Sequence, residues 1–245
     1  MIGCIVQARL GSSRLPGKVL MDILGKPMLQ LMLERISAAK KIDKVIVATT
    51  VEESDTLIYE FCKEYGYECY RGSEEDVLDR FYQAAKQSKF DLVLRVTADC
   101  PLIDPEIIDL VVDKYHENPL GYVSNIQPRS FPDGLDIELL TFKELERAWK
   151  THNDKFTREH VTSYILKDKV KVGSVINKID LKELRWTVDY PEDFKFVKKI
   201  FEELYYKKKI FNMDDIINLL KKNPQINDIN GKFKGGEDKM KIALD

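Results

Sequence analysis

Short apolar runs alternate with longer amphipathic stretches through the first half of the chain. Ile2, Cys4, Ile5 and Val6 make a run that ends in QARLGSSRLPGK, the pattern of a buried strand emptying into a glycine-containing loop. Pro27 suits a first helical residue, and Met28, Leu29, Leu31, Met32, Leu33 and Ile36 then recur on a helical spacing up to Lys40. Residues 45–50 (VIVATT) predict the next strand, Ser54 caps a helix to Tyr65, and 68–71 predict a brief strand. Ser73 with Asp76 resembles a capping box for a helix whose inward positions are Val77, Leu78, Phe81 and Ala84. A strand over 92–96 leads to Asp99, and Asp104-Pro105 starts a helix carrying Ile107, Ile108, Val111 and Val112.

The strand–helix unit thus repeats three times. Such alternation predicts the α/β class: a mostly parallel sheet covered on both faces, with ligands outside the carboxyl ends of the strands. After Tyr122 the texture changes to VSNIQPRSFPDGLDIELL, where Pro, Asp and Gly breaks mix with an alternating Leu135, Ile137, Leu139, as expected of an inserted lobe. Helices are expected at 142–150 and 157–166 and a strand at 170–176. LRWTVDYPED reads as a strand that ends at Asp189, returns to the main sheet and precedes a proline-started helix. Beyond residue 220 the apolar period is lost, so 221–245 reads as a loosely ordered tail after a single domain over 1–220.

Composition narrows the possibilities. At 245 residues the chain is long enough for one large α/β core. Its 39 Lys+Arg against 41 Asp+Glu leave a charge of −2, which gives no overall footprint for nucleic acid or an anionic membrane, so any anion must be held locally. The opening apolar run meets charge too early for a signal-peptide core, and no stretch approaches membrane-spanning length, so a cytoplasmic protein is expected. The four cysteines show no CxxC and the three histidines lie far apart, which argues against a disulfide framework or a zinc cluster. Tyr59, Phe61, Tyr65, Tyr67 and Tyr70 sit among Glu52, Glu53, Glu60, Glu64 and Glu68, whose charges would repel a nucleic-acid backbone.

The loop 7–18 is the most informative segment. Gly11 and Gly17 let backbone N–H groups turn toward an anion, while Arg9, Arg14 and Lys18 add three cations with no acid until Asp22. This triphosphate-sized nest matches neither GxxxxGK[ST] nor GxGxxG. Asp99 and Asp189 each close a predicted apolar strand and each has a proline two residues on. Mg²⁺ takes one or two carboxylates and completes its shell with waters and phosphates, so this pair suits a nucleotide-borne metal. Polar groups in turns or at a helix start of the second lobe, namely Asn125, Asp133, Asp136, Arg158, Glu159 and His160, are the candidate acceptor contacts. Arg158 suits a carboxylate or phosphate, and His160 suits orienting or deprotonating a hydroxyl.

Six blocks in order, QARLGSSRLPGKVL, RGSEEDVLDRF, RVTADCPLIDP, FPDGLDIE, REHVTSYI and RWTVDYPEDF, resemble the cytidylyltransferase superfamily that activates acidic sugars such as Kdo and sialic acids. The nearest likeness is to its spore-coat-polysaccharide branch, and it covers the chain to about residue 220. The resemblance implies a three-layer αβα fold of the nucleotide-diphospho-sugar transferase type. In it, 1–120 plus 180–220 bind nucleotide and 121–180 form a small acceptor and dimerisation lobe of a homodimer. It implies CTP and a small acidic acceptor as substrates and Mg²⁺ as cofactor. Arg9 and Lys18 would contact the CTP phosphates, Asp99 and Asp189 would hold the metal, and these four are the implied catalytic residues. Gln7, Ala8, Gly11, Ser12, Arg14, Arg71, Ser73 and Thr97 would lie, with Asp99, around the nucleotide.

Two departures leave base and acceptor open. Thr97-Ala98 stands where the Kdo enzymes carry Gln-Gly, and the DxD-like metal pattern of sialate enzymes is reduced to Thr187-Val188-Asp189. The alternatives are a nucleotidyltransferase using another NTP or a phosphorylated sugar, polyol or phosphonate acceptor, and a non-catalytic nucleotide-binding subunit of a glycosylation complex. Pyrophosphate release assayed with each of the four NTPs is expected to be fastest with CTP; preference for GTP, UTP or ATP would overturn the cytidylyl assignment.

Overall fold

The computed structural model describes residues 1–233. β1 (Ile2–Gln7) is followed by a two-strand ribbon, β2 (Asp22–Ile23) and β3 (Lys26–Pro27), then α1 (Met28–Ile36), β4 (Lys44–Thr50), α2 (Thr56–Tyr65), β5 (Glu68–Gly72), α3 (Val77–Gln87), β6 (Leu92–Thr97) and α4 (Pro105–Glu117). The second half adds β7 (Tyr122–Ser124), β8 (Glu138–Thr141), α5 (Phe142–Thr151), α6 (Lys155–His160), α7 (Tyr164–Lys167), β9 (Val172–Ser174), α8 (Pro191–Leu204) and α9 (Met213–Lys222). One seven-stranded sheet runs β5-β4-β1-β6-β8-β7-β9. β1 pairs parallel with β4 and β6, and β4 with β5, whereas β8 runs antiparallel to both β6 and β7.

The near-continuous apolar runs of β1, β4 and β6 follow from burial on both faces. Cys4 and Val6 of β1 face a core shared with α1, α2, α4, α8 and α9; Ile5, next in the strand, faces a second core built by α3, α5 and α7. Three layers result, with the sheet in the middle. Local signals start the helices: Asp104 accepts a hydrogen bond from the Glu106 N–H at 2.8 Å with Pro105 first in α4, and Asp76 accepts from the Asp79 N–H at 2.9 Å. Asp76 rather than Ser73 is the cap of α3; the Ser73 hydroxyl instead accepts from the Asp76 N–H at 3.1 Å.

Arg35 ties this frame to the loop after β6. It is 1% exposed on α1, stacks 4.1 Å from the centre of the Phe211 ring, and donates to the carbonyls of Ile103 at 2.9 Å, Leu102 at 3.3 Å and Phe211 at 2.7 Å. Burial lowers its pKa to about 10, yet it remains charged at neutral pH and satisfies three carbonyls at once.

Several expectations change. Within the segment 121–180, β7, β8 and β9 extend the main sheet. The helix expected at 157–166 breaks into α6 and α7 at Val161, whose φ is 53°. Residues 184–189 do not rejoin the sheet; Arg185 makes an isolated bridge to Asp133, and the Val188 N–H donates to the Asp99 carbonyl at 2.8 Å. Their apolar alternation reflects burial of Trp186 and Val188 against loops rather than strand pairing. Nor does a loose tail begin at 221. α9 reaches Lys222, a short 3-10 turn spans Pro224–Ile229, and Ile226 and Asn230 are buried; residues 234–245 of that expectation lie outside the described residues.

Among the described residues no helix is long and apolar enough to cross a membrane. The close approach of 132–136 to 185–187 depends on Gly134, whose φ is +111° and whose added Cβ would lie 2.5 Å from the Thr187 nitrogen and 2.6 Å from the Trp186 carbonyl carbon. Gly134→Ala is therefore expected to cost on the order of 3 kcal/mol in urea unfolding; a stability equal to that of the parent chain would contradict this tight contact.

Candidate active site

β1 and β6 end side by side, with Gln7 opposite Thr97 in register, and the loops that follow them form the floor of a cleft. Gly17, at φ 72°, turns the first loop into a short 3-10 helix, Lys18–Leu20. Several of the loop's amides are used within the fold: the Gly17 and Ser12 N–H groups donate to the Leu10 carbonyl at 3.0 and 2.8 Å, and the Leu10 N–H donates to Asp55 at 2.7 Å. Gly11 lies outside the left-handed backbone region. The Gly17 amide is thus turned into the fold, and the positive character of the cleft face comes chiefly from the side chains of Arg9, Arg14 and Lys18.

Lys18 is buried and its Nζ stands at the centre of the site. It is 3.3 Å from Asp99 Oδ2 and 3.2 Å from Asp189 Oδ1, and it donates to the Val188 carbonyl at 2.6 Å. The two carboxylates therefore converge on one point, although neither lies near the other in sequence. Thr97 Oγ1 donates to Asp99 Oδ1 at 2.6 Å, which orients that carboxylate. Arg14 meets Asp189 Oδ1 and Arg185 meets Asp189 Oδ2, each at 2.8 Å. Gln7, Arg9, Ser12, Ser13 and Ala98 complete the cleft. Arg9 pairs with Glu74 at 3.1 Å, but both are about two-fifths exposed, so the pair contributes little and leaves Arg9 able to exchange partners.

Three expected nucleotide neighbours do not line this cleft. Ala8 is buried, and its N–H bonds to the Ala48 carbonyl at 3.1 Å. Arg71 donates to the carbonyls of Thr50 at 2.8 Å and Glu52 at 2.9 Å, and Ser73 shapes the turn before α3.

A second cleft adjoins the first and shares Thr97 with it. Arg95, Gln127, Arg129, Glu138, Phe156 and Thr162 line it together with the expected Asp133, Asp136 and His160. Arg129 grips Asp136 with both terminal nitrogens; burial opposes its charge, but Asp136 and Asp133 outweigh that and raise its pKa. Arg95 pairs with Glu138, which also accepts from the Tyr122 hydroxyl at 2.6 Å. The other expected acceptor contacts are not brought here. Asn125 donates to the Leu135 carbonyl at 2.7 Å and accepts from the Ile137 N–H at 2.9 Å, so its amide staples backbone. Arg158 binds Asp76 at 3.3 Å and the Trp149 carbonyl at 3.2 Å, tying α6 to the cap of α3, and Glu159 is exposed away from the cleft lining.

A family model described as cytidylyltransferase matches residues 3–224. The chain belongs to the cytidylyltransferase family. It is similar to a cytidylyltransferase structure from Leptospira borgpetersenii, with 36% identity, a TM-score of 0.87, and coverage of 92% of this chain and 95% of that one. It is also similar to the spore coat polysaccharide biosynthesis protein SpsF of Bacillus subtilis, 28% identical over 234 residues that cover 90% of this chain and 94% of the relative. A mitochondrial 3-deoxy-manno-octulosonate cytidylyltransferase of Arabidopsis thaliana is 39% identical over 137 residues, 54% of this chain and 46% of that one. The fold and the enzyme class expected from sequence, a three-layer α/β nucleotidyltransferase, are thereby established.

Within this cytidylyltransferase site, sequence reading missed Arg95, Arg129, Glu138 and Arg185. Arg95 and Glu138 carried a signal, since each is a lone charge within an otherwise apolar strand and their signs are complementary. Arg185 joins the two clefts, meeting Asp133 at 3.3 Å and Asp193 at 3.2 Å besides Asp189. Burial opposes its charge, but Asp193, Asp189 and Asp133 prevail and raise its pKa above the ordinary arginine value. Burial, with Asp99 adding to it, pushes the Cys100 thiol well up, so it stays protonated beside the cleft and is no nucleophile. Arg185→Met removes the partner of three carboxylates, and a loss on the order of 3 kcal/mol is expected in chemical denaturation; an unchanged midpoint would show that the cluster does not need it.

Proposed function

We propose that this cytidylyltransferase transfers CMP from CTP to a small acidic sugar or similar acceptor, releasing pyrophosphate, in the cytoplasm, for surface polysaccharide or glycan synthesis. The observation that carries this reading is the convergence of Asp99 and Asp189 on Lys18, beside Arg14 and Arg9, at the carboxyl ends of β1 and β6. Three cations suit a triphosphate, and two hard carboxylates within reach of one cation fit the donor set that Mg²⁺ takes when phosphates complete its shell. Asp99 and Asp189 would hold that ion, which when bound neutralises charge developing on the phosphates.

The chemistry is an in-line displacement. An acceptor oxygen attacks the α-phosphorus, a new P–O bond forms, the bond to the bridging oxygen of the β-phosphate breaks, and pyrophosphate leaves. Lys18 steadies the α-phosphate, Arg9 and Arg14 bind the outer phosphates, and His160 at the second cleft accepts the hydroxyl proton. The division of labour between 1–120 with 180–220 and 121–180 fits this scheme, because the first cleft draws on residues 7–19, 97–99 and 189 and the second chiefly on 126–163. Arg95 and Arg129 oppose Asp133, Asp136 and Glu138 in the second cleft, and this excess of carboxylates favours an acceptor with a single acid group over a phosphorylated one. The homodimer is part of the same proposal and rests on the family resemblance.

A panel of acidic sugars, sugar phosphates and phosphonates incubated with CTP and Mg²⁺, read by the mass of the CMP conjugate, tests the reading. Conjugates only with phosphorylated acceptors would overturn the acceptor class, and no conjugate or pyrophosphate with any of them would overturn the transferase itself. With the acceptor so found, Lys18→Ala is expected to lower kcat about 10²-fold with a smaller change in KM. Undiminished turnover would remove Lys18 from the reaction.

A further inference from the structure

The segment after α9 returns to the site. Asn230 is 3% exposed, and its Nδ2 donates to the Arg185 carbonyl at 2.9 Å and to Asp193 Oδ1 at 3.0 Å. Asp193 Oδ2 in turn accepts from the backbone N–H groups of both Asp189 and Tyr190 at 3.0 Å, while the Arg185 guanidinium holds the Asp189 carboxylate. Three residues on, the Phe233 ring lies flat on Tyr190, 4.2 Å between centres and 4° from parallel, and the Arg14 guanidinium sits 5.0 Å from the centre of the Tyr190 ring. Two contacts therefore run from this segment to the cleft: one through Asp193 and Arg185 to Asp189, the other through Tyr190 to Arg14. The family model ends at residue 224, so the segment lies beyond the stretch it matches.

We infer that residues 230–233 are a positioning strap for the triphosphate cleft, with Asn230 fixing the peptide and carboxylate of Asp189 and Phe233 fixing the platform on which Arg14 rests. The inference rests on the proposed CTP site. Its physical basis is that a buried amide with two polar acceptors is expensive to remove: the Arg185 carbonyl loses its donor and Asp193 loses one of the partners that hold it in place. Neither residue reaches the cleft lining itself, so both act through others.

The test uses the full chain with Asn230→Ala, Phe233→Leu and Phe233→Tyr. Amide hydrogen exchange at Asp189 and Tyr190 is measured by NMR without ligand, and binding of CTP with Mg²⁺ by calorimetry. Asn230→Ala is expected to speed exchange at those two amides about tenfold, leave the amides of β1 and β4 unchanged, and weaken CTP binding by a similar factor. Phe233→Leu is expected to weaken CTP binding and Phe233→Tyr to restore it, since the ring stack survives. Unchanged exchange at Asp189 and Tyr190 would overturn the strap. Faster exchange with unaltered CTP affinity would reduce it to packing, which also overturns the positioning role. If the parent chain binds no CTP, the CTP reading fails by itself, and the exchange comparison still decides whether the strap holds Asp189.

Discussion

A buried ammonium shared by two carboxylates is the constraint on which this molecule's site depends. Lys18, Asp99 and Asp189 come from three separate segments, the first pair 81 and the second 171 residues apart. Burying any of the three alone would cost several kcal/mol, because a charge taken out of water without a partner is poorly compensated. Only when the loop after β1, the loop after β6 and the segment before α8 meet do the charges offset one another. The same compensation suits the proposed reaction: an arriving triphosphate can take over the cations, and the carboxylates it releases are then available to a divalent ion.

The rest of the architecture keeps those three segments in place. Parallel pairing of β1 with β6 brings the first two loops to one edge, and Arg35 clamps the second loop to α1 and to the connection before α9 through backbone carbonyls. No strand pairing holds the third segment. It is held by a single bridge to Asp133, whose N–H donates to the Leu184 carbonyl at 2.9 Å and whose carbonyl accepts from the Trp186 N–H at 2.6 Å, by Gly134's close approach, by the Val188 bond to Asp99, and by the Arg185–Asp193–Asn230 network. Polar side chains thus supplement, for residues 184–190, the few backbone bonds that take the place of a continuous ladder. This is also why the two clefts are coupled, since Arg185 touches carboxylates belonging to each.

Legibility from sequence followed the kind of force involved. Apart from the short β2–β3 ribbon, the strands and helices of the first 117 residues were readable, most of them because they bury apolar side chains at a fixed period. Residues 184–189 show how that signal misleads: Leu184, Trp186 and Val188 alternate like a strand, yet alternation records which side chains are buried and not what the backbone pairs with. Asn125 and Arg158 show the converse for polar residues. Both look like ligand contacts in a turn and at a helix start, and both satisfy protein groups, a choice that depends chiefly on neighbours nine or more residues away. The ordered segment 223–233 escaped notice because two isolated apolar anchors, Ile226 and Ile229, together with side-chain amide bonds and one ring stack hold it, and these leave no periodic trace.

What the chain determined by itself was the repeated strand–helix unit, the cationic loop 7–18 and two aspartates at strand or segment ends, because these are properties of local composition and spacing. The tertiary structure decided which charges meet. Long-range placement made Lys18 the bridge, paired Arg95 with Glu138 across two strands, and recruited Arg185 and Asn230. Electrostatic and hydrogen-bond energies vary steeply with distance and burial, and neither quantity exists until the segments have packed.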